Sequence, residues 1–382
     1  MIKETDVVII GGGINGCALA YELSKKGKDV VVLEKKYLAS GATGRCGAGI
    51  RQQWSTKENA LLAIKSVKKF ETLEEELGQE IGLRQGGYLI AVHDEEDMKQ
   101  AEKNVAMQRS LGLEVEILDE DGIKEVVPIL DVKGMDAIAA TFCPTDGHAD
   151  PFKTTYAYAN AAAREGAKIY KFTEVKDILT EDKKIVGVKT NRGIIKTNVV
   201  VNAAGAWSKE IAEMVDIHLP NIPYRKEIIV TERLKHVFDA MVISFRDGIY
   251  FSQQEEGQIL GGIPSPEEKP GYHTIPTFSF LKHMAKTLTR YAPILKHINI
   301  LRQWTGFYDV TPDARPILGE VKEVEGFIQC NGFSGHGFMI APMVAQLLSE
   351  LIVEKKTSLP IKNLALERFE KMKIEREKSV VG

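Results

Sequence analysis

The stretch that decides the fold is Val7-Val8-Ile9-Ile10-Gly11-Gly12-Gly13-Ile14-Asn15-Gly16. Four consecutive apolar residues at 7–10 read as a strand buried on both faces. Gly11, Gly13 and Gly16 then set the spacing G-x-G-x-x-G, and residues 14–26 read as a helix that Gly27 ends. A second apolar run, Val30-Val31-Val32-Leu33, delivers Glu34 at the distance expected of an acid that reads a ribose. Each glycine has its own task. Gly11 permits the tight turn, Gly13 lets backbone approach a pyrophosphate, and Gly16 lets the helix pack on the strand. The helix N-terminus adds free N–H groups and a positive dipole end. Strand, turn, helix, strand and acid together predict a Rossmann-like α/β unit that binds a dinucleotide. By themselves they do not separate NAD from FAD.

Two later segments do. Val199-Val200-Val201-Asn202-Ala203-Ala204-Gly205-Ala206-Trp207 reads as a buried strand running into small residues, where backbone passes close to the same nucleotide. Gly332-Phe333-Ser334-Gly335-His336-Gly337-Phe338 precedes an apolar helix. Its glycines let N–H groups face a planar, electron-rich ligand edge, and a helix N-terminus stabilises the negative charge of a reduced flavin.

Outward from these segments, 382 residues suit two domains, or one with a large insertion. Apolar residues at 44% and charged residues at 27% describe a globular chain, and a formal net charge of −3 leaves no basic footprint for nucleic acid. Cys17, Cys46, Cys143 and Cys330 lack metal-ligand spacing, so no metal is expected and the thiols read as reduced residues of a cytoplasmic protein. Residues 7–10 are too short for the apolar core of a signal peptide. Residues 326–349 carry no charged side chain, yet their glycines, Pro342 and polar residues fit a turn and buried helix better than a membrane span. Helices are predicted over 56–77, with Ser55 and Glu58 as a capping box and Gly78 as the stop, and over 151–165, 278–291 and 341–354. The fold class is α/β, α+β overall, with a discontinuous mixed-sheet substrate domain. Residues 1–82, 145–218 and 303–382 are assigned to the FAD-binding domain, and 83–144 and 219–302 to the substrate domain.

At these three segments the chain resembles the D-amino-acid-oxidase-like superfamily of flavoenzymes. The resemblance extends through Ser40-Gly41-Ala42-Thr43-Gly44-Arg45, Gly147-His148-Ala149-Asp150-Pro151 and Thr311-Pro312-Asp313. Within the superfamily it looks most like the β subunits of heteromeric sarcosine oxidase and of archaeal dye-linked L-proline dehydrogenase. The resemblance implies extended FAD, with Gly11, Gly13, Asn15 and Gly16 at pyrophosphate, Glu34 and Lys35 at the adenosine end, and Val175 at adenine. Gly205 lies in the second turn. Thr43, Gly44, Arg45, Cys46, Ala48 and Gly49 are expected beside the ribityl chain and flavin, and Gly335, His336, Gly337 and Phe338 at the pyrimidine edge. Monomeric sarcosine oxidase joins its flavin to a cysteine at the position matching Gly306, and its oxygen-activating lysine matches Ile259. The histidine that carries FMN in heteromeric relatives matches Pro151. These departures imply non-covalent FAD and an acceptor other than oxygen. The heteromeric relatives imply a different partner subunit and FMN at the junction.

The resemblance further implies an amine oxidation in which hydrogen leaves the carbon beside nitrogen as hydride to flavin N5. L-proline is the leading substrate. The alternatives are a sarcosine, glycine or N-methylamino-acid oxidase, an NAD-dependent dehydrogenase on the same fold, and a non-catalytic flavin-carrying subunit. Arg51 is the candidate carboxylate anchor, because a guanidinium clamps a carboxylate through parallel hydrogen bonds. Tyr250 and Tyr308 are candidates for the pocket wall, and His336 for approach to the flavin. Met339 stands where monomeric sarcosine oxidase has a second cationic anchor.

Overall fold

The computed structural model describes residues 2–371 together with Glu377 and Ser379. Strand Val7–Ile10 lies inside a six-stranded sheet, flanked in parallel by Val30–Leu33 and Val199–Asn202. Lys168–Tyr170 extends it beyond Val30–Leu33, and Phe327–Asn331 beyond Val199–Asn202, both in parallel. Ile317–Glu320 closes that edge antiparallel. Because the core strands run the same way, the turns after Ile10, Leu33, Asn202 and Asn331 emerge along one rim. That rim is where α/β sheets bind ligands. On one face, helix Ile14–Lys25 packs between Pro151–Arg164 and Gly337–Glu354, with Lys57–Leu77 outside them. On the other, the antiparallel strands Val175–Glu181, Lys184–Thr190 and Gly193–Lys196 cover an apolar cluster with Val8, Val31 and Val200. Both faces are therefore buried, which explains the unbroken apolar runs.

The second sheet has eight strands in the order Ile300–Val310, Ile222–Arg233, Gln258–Gly262, Tyr250–Gln253, Met241–Ile243, Tyr88–Val92, Ala139–Cys143, Glu116–Leu118. Side chains alternate between its faces. Leu89, Val242, Phe251 and Ile259 face a core that includes Phe280, Met284 and Leu288 of helix Phe278–Tyr291. Tyr88, Met241, Ile243 and Tyr250 form a separate cluster on the opposite face.

Three expectations change in detail. Strand Ile300–Val310 pairs along its length with Ile222–Arg233, so a boundary at 303 cuts a strand of the eight-stranded sheet. Helix Lys57–Leu77 has Thr56 at its N-cap with no side-chain cap, and Ser55 Oγ donates to the Glu377 carboxylate instead of closing a capping box with Glu58. Gly78 does stop this helix, at φ 62°. The last long helix begins at Gly337, not Ala341, with Pro342 inside its second turn. Proline there forgoes the hydrogen bond to the Phe338 carbonyl and crowds it, a local cost set against the burial of the helix's apolar length. The helix is long and apolar enough to cross a membrane by composition, but two thirds of it (67%) is buried in the protein.

Candidate active site

Two adjoining cavities lie between the rim of the six-stranded sheet and the tyrosine-bearing face of the eight-stranded sheet. The larger, about 300 Å³, runs from Glu34, Thr173 and Val175 past Gly11, Gly13, Asn15 and Gly205 to Tyr308 and Gly335. The smaller, about 80 Å³, is lined by Ala48, Gly49, Arg51, Trp54, Tyr88, Met241, Ile243, His336 and Met339, among others. Cys46, Tyr250, Tyr308, Gly335 and Phe338 border both.

The glycine turn is shaped for close approach. Gly11 has φ 115°, and a Cβ there would sit 2.3 Å from the Ala203 carbonyl oxygen. A Cβ on Gly16 would meet the Gly11 carbonyl at 2.0 Å, so Gly16 acts in packing and is absent from the cavity wall. Gly13 is the N-cap of helix Ile14–Lys25 and provides no side-chain cap. Asn15 donates to the Gly337 carbonyl at 3.2 Å, while its Oδ1 is buried without a partner among the described residues. Glu34 accepts from Gly12 N at 2.8 Å and Lys36 N at 2.7 Å, so its carboxylate braces the turn as well as lining the cavity. Lys35 also lines it, with Nζ 3.7 Å from the Trp207 ring centroid. These features fit an extended dinucleotide: a glycine cradle, an uncapped helix start, an unpartnered polar atom and an acid beyond them.

Thr43, Arg45 and Cys46 line the larger cavity. Thr43 Oγ1 accepts from Ile14 N at 3.2 Å, and Arg45 is fixed to the Ser40 and Thr305 carbonyls. Gly44 is off the wall, wedged where a Cβ would strike the Ala39 carbonyl at 2.4 Å and the Phe152 ring. Ala48 and Gly49, expected beside the cofactor, border the smaller chamber. Ile259 is buried in the helix-packed core, and its neighbour Leu260 is the residue that reaches Gly47 near the cavity. Position 259 therefore cannot present a side chain to a flavin, whatever residue occupies it.

Arg51 is 3% exposed. Its Nη2 donates to the Ser379 carbonyl, while Nη1 is buried with no partner among the described residues. The guanidinium lies 4.3 Å from the Trp54 ring centroid, a cation–π arrangement. Burial lowers its pKa, with Tyr88 and Asp146 acting in the opposite direction. Asp146 is linked to the neighbouring glutamines rather than to Arg51. It accepts from Gln52 N at 2.7 Å and Gln53 Nε2 at 3.0 Å, and burial pushes its carboxyl up to about 6. His336 stands edge-on to Trp54, ring centroids 4.9 Å apart, with Nδ1 unpartnered among the described residues. Burial, then the Arg51 charge, brings its pKa down to about 4, so it is neutral at neutral pH.

Burial also raises the phenol pKa values of Tyr88, Tyr250 and Tyr308, which keeps all three protonated. Tyr88 and the apolar pair Met241 and Ile243 were not singled out in the sequence. Their signal is the alternation within short strands, visible only once the inward face is known. Tyr308 demands glycine opposite it: at Gly335, φ 97°, a Cβ would lie 2.2 Å from its ring. Lys226 also lines the larger cavity, paired with Glu268 at 2.8 Å. The smaller chamber thus combines a guanidinium with one nitrogen unpartnered among the described residues, neutral phenols and apolar walls.

Residues 6–351 match the family model for FAD dependent oxidoreductases of the DAO type. The chain is 31% identical to the sarcosine oxidase subunit beta of Arthrobacter sp over 96% of its length and 92% of the relative's. Its structure is similar to the L-proline dehydrogenase of P. horikoshii, with 41% identity, a TM-score of 0.93, and coverage of 97% of this chain and 99% of that one. Similarity extends to the glycine oxidase of Geobacillus kaustophilus, with 25% identity, a TM-score of 0.87 and coverage of 96% and 99%. The chain belongs to the DAO family of FAD dependent oxidoreductases.

Proposed function

We propose that this protein oxidises a small amino or imino acid, L-proline foremost, and passes the electrons to a protein partner or dye rather than to oxygen. The observation that carries the substrate class is Arg51: a buried cation whose Nη1 has no partner among the described residues, facing a small chamber. Leaving such a donor unmatched costs about 1–3 kcal/mol, which a substrate carboxylate would recover. The choice of proline rests on similarity to the P. horikoshii L-proline dehydrogenase. The partner reading rests on similarity to a protein named as a subunit. FMN at a junction with a different subunit belongs to the same reading.

Bound FAD supplies the two-electron acceptor for this chemistry. The chain's residues bind and orient. Arg51, at the wall of the smaller chamber, takes the carboxylate, and the neutral phenols of Tyr250 and Tyr308 border both cavities, where they can hydrogen-bond the amine. Trp54, Met241, Ile243 and Phe338 restrict water. His336, held neutral, adds no second positive charge that would oppose an iminium product. A substrate bound as the neutral amine needs no strong base in this chamber.

The test has two arms: FAD-loaded protein is mixed without oxygen with L-proline, sarcosine, glycine and N-methylamino acids while flavin absorbance is followed, and the same mixtures are assayed in air for dye reduction and peroxide. Bleaching by proline, with dye reduction and little peroxide, is expected. Rapid peroxide formation with sarcosine and no response to proline would overturn the proline reading. Bleaching by none of the compounds would favour a flavin-carrying subunit.

A further inference from the structure

Arg51 Nη2 meets a segment far along the chain, the Ser379 carbonyl. Residue 379 is itself fixed. Its N–H donates to Glu377 Oε1 at 3.0 Å. The Glu377 carboxylate also accepts from Ser55 Oγ, from Thr56 Oγ1 at 3.0 Å and from Asn59 Nδ2 at 2.6 Å, and Glu377 N donates to the Asp313 carbonyl at 3.0 Å. Glu377 is 1% exposed and Ser379 6%. Burial alone would raise the Glu377 carboxyl, but its hydrogen bonds, that from Ser55 first, bring it below the usual glutamate range. It therefore stays an anion that can hold all these donors at neutral pH.

A guanidinium offers five N–H donors in a fixed fork. A neutral carbonyl on one edge holds the fork without neutralising its charge, so the open edge still attracts an anion. We infer that Glu377 is a positioning residue for substrate binding: by pinning residue 379 against Arg51 Nη2, it fixes the pose in which the Arg51 guanidinium borders the chamber that would receive one substrate carboxylate. This inference rests on the proposed anchoring role of Arg51 and adds how that role is set. It also bears on specificity. With Nη2 engaged by a carbonyl, the site favours a single small carboxylate held through one nitrogen over a two-nitrogen clamp. The absence of a second cation at Met339 is consistent with such one-sided binding.

The readouts are KM, kcat and the binding of acetate as a monocarboxylate probe, titrated by its perturbation of flavin absorbance in FAD-loaded protein. Glu377→Ala should raise both KM and the acetate Kd about tenfold, the effect of weakening one charge-assisted hydrogen bond, with the loss in kcat/KM carried by KM. Glu377→Gln, which keeps one acceptor oxygen, should recover part of the loss. Asn59→Ala, on the helix side of the contact, should weaken binding in the same direction by a smaller factor. Unchanged KM and acetate Kd in Glu377→Ala would overturn the inference. So would tighter binding, which would make residue 379 a competitor for the anchor, and so would an acetate titration without response in the unaltered protein. If no amino acid bleaches the flavin but acetate binding weakens as described, the positioning role stands and the proposed activity falls.

Discussion

Replacing Arg51 by Met separates an anchor from a structural cation, because the two roles predict opposite balances of stability and binding. In the free protein three changes oppose one another. Removing the buried Nη1, which has no partner among the described residues, relieves about 1–3 kcal/mol. Losing the charge-assisted bond to the Ser379 carbonyl costs about 1.5–3 kcal/mol. Losing the guanidinium over Trp54 costs about 1 kcal/mol. The sum lies within a few kcal/mol of zero, and buried charge is often replaced by apolar volume without loss of stability. For the complex only one sign is possible, since the carboxylate loses its cation. A hydrogen bond to a charged group worth about 1.5–3 kcal/mol corresponds to a rise in KM of roughly 10- to 150-fold. The assays are thermal unfolding of the flavin-loaded protein and steady-state dye reduction. A shift in Tm of a few degrees at most, with flavin retained and KM raised by at least tenfold, is expected. A large fall in Tm with KM unchanged would refute the reasoning and make Arg51 a structural cation.

Further substitutions probe the surrounding geometry. Gly335→Ala places a methyl group 2.2 Å from the Tyr308 ring at a φ of 97°, and should lower flavin content in the purified protein, read by its absorbance. Gly49→Ala would put a Cβ 1.8 Å from Tyr88 Oη, so the phenol must move; KM should rise several-fold with flavin retained, and an unaltered KM would remove Tyr88 from the substrate wall. Ile259→Lys buries a charge in the helix-packed core and should cost several kcal/mol, whereas Leu260→Lys should be tolerated better; equal Tm losses would contradict the strand facing. Asp146 and Asp309 are raised by burial to about 6 and about 7. A carboxyl raised on folding lends stability that is full below its unfolded pKa, near 4, and is lost as pH rises through the folded value. Each should contribute a decline of about 1.4 kcal/mol per pH unit while only its unfolded form is ionised, and Asp309→Asn should flatten the upper part of that decline in a Tm-against-pH series.

The cradle was legible in the sequence because its constraints are local. Gly11, Gly13 and Gly16 answer to contacts within one strand–turn–helix, and four apolar residues in a row announce a parallel strand without reference to anything distant. The second sheet was less legible. Tyr88 and Leu89 differ in fate only through the face each takes, and that face is fixed by pairing with strands about 50 and 150 residues away. The same effect decides Ile259 against Leu260: local spacing can bring either residue into register with a relative, while the pleat lets only one look inward. Ser55 shows a similar limit. S-x-x-E is a sound helix-start pattern, but a buried carboxylate from residue 377 competes for the same hydroxyl and holds it.

Arg51 combines both cases. A lone arginine after a glycine-rich loop suggests a carboxylate anchor, and its residue type alone supports that expectation. What type cannot encode is which donors are already spoken for. Nη2 meets a carbonyl 328 residues away, and Nη1 meets nothing among the described residues. A side chain with five donors becomes a directed binding group only when the fold satisfies some of them and withholds partners from the rest. If Arg51 is the anchor proposed above, the unpartnered donor, more than the charge, is what would draw a substrate carboxylate. A guanidinium fully paired to a buried acid in the same place would carry the same charge and bind far less.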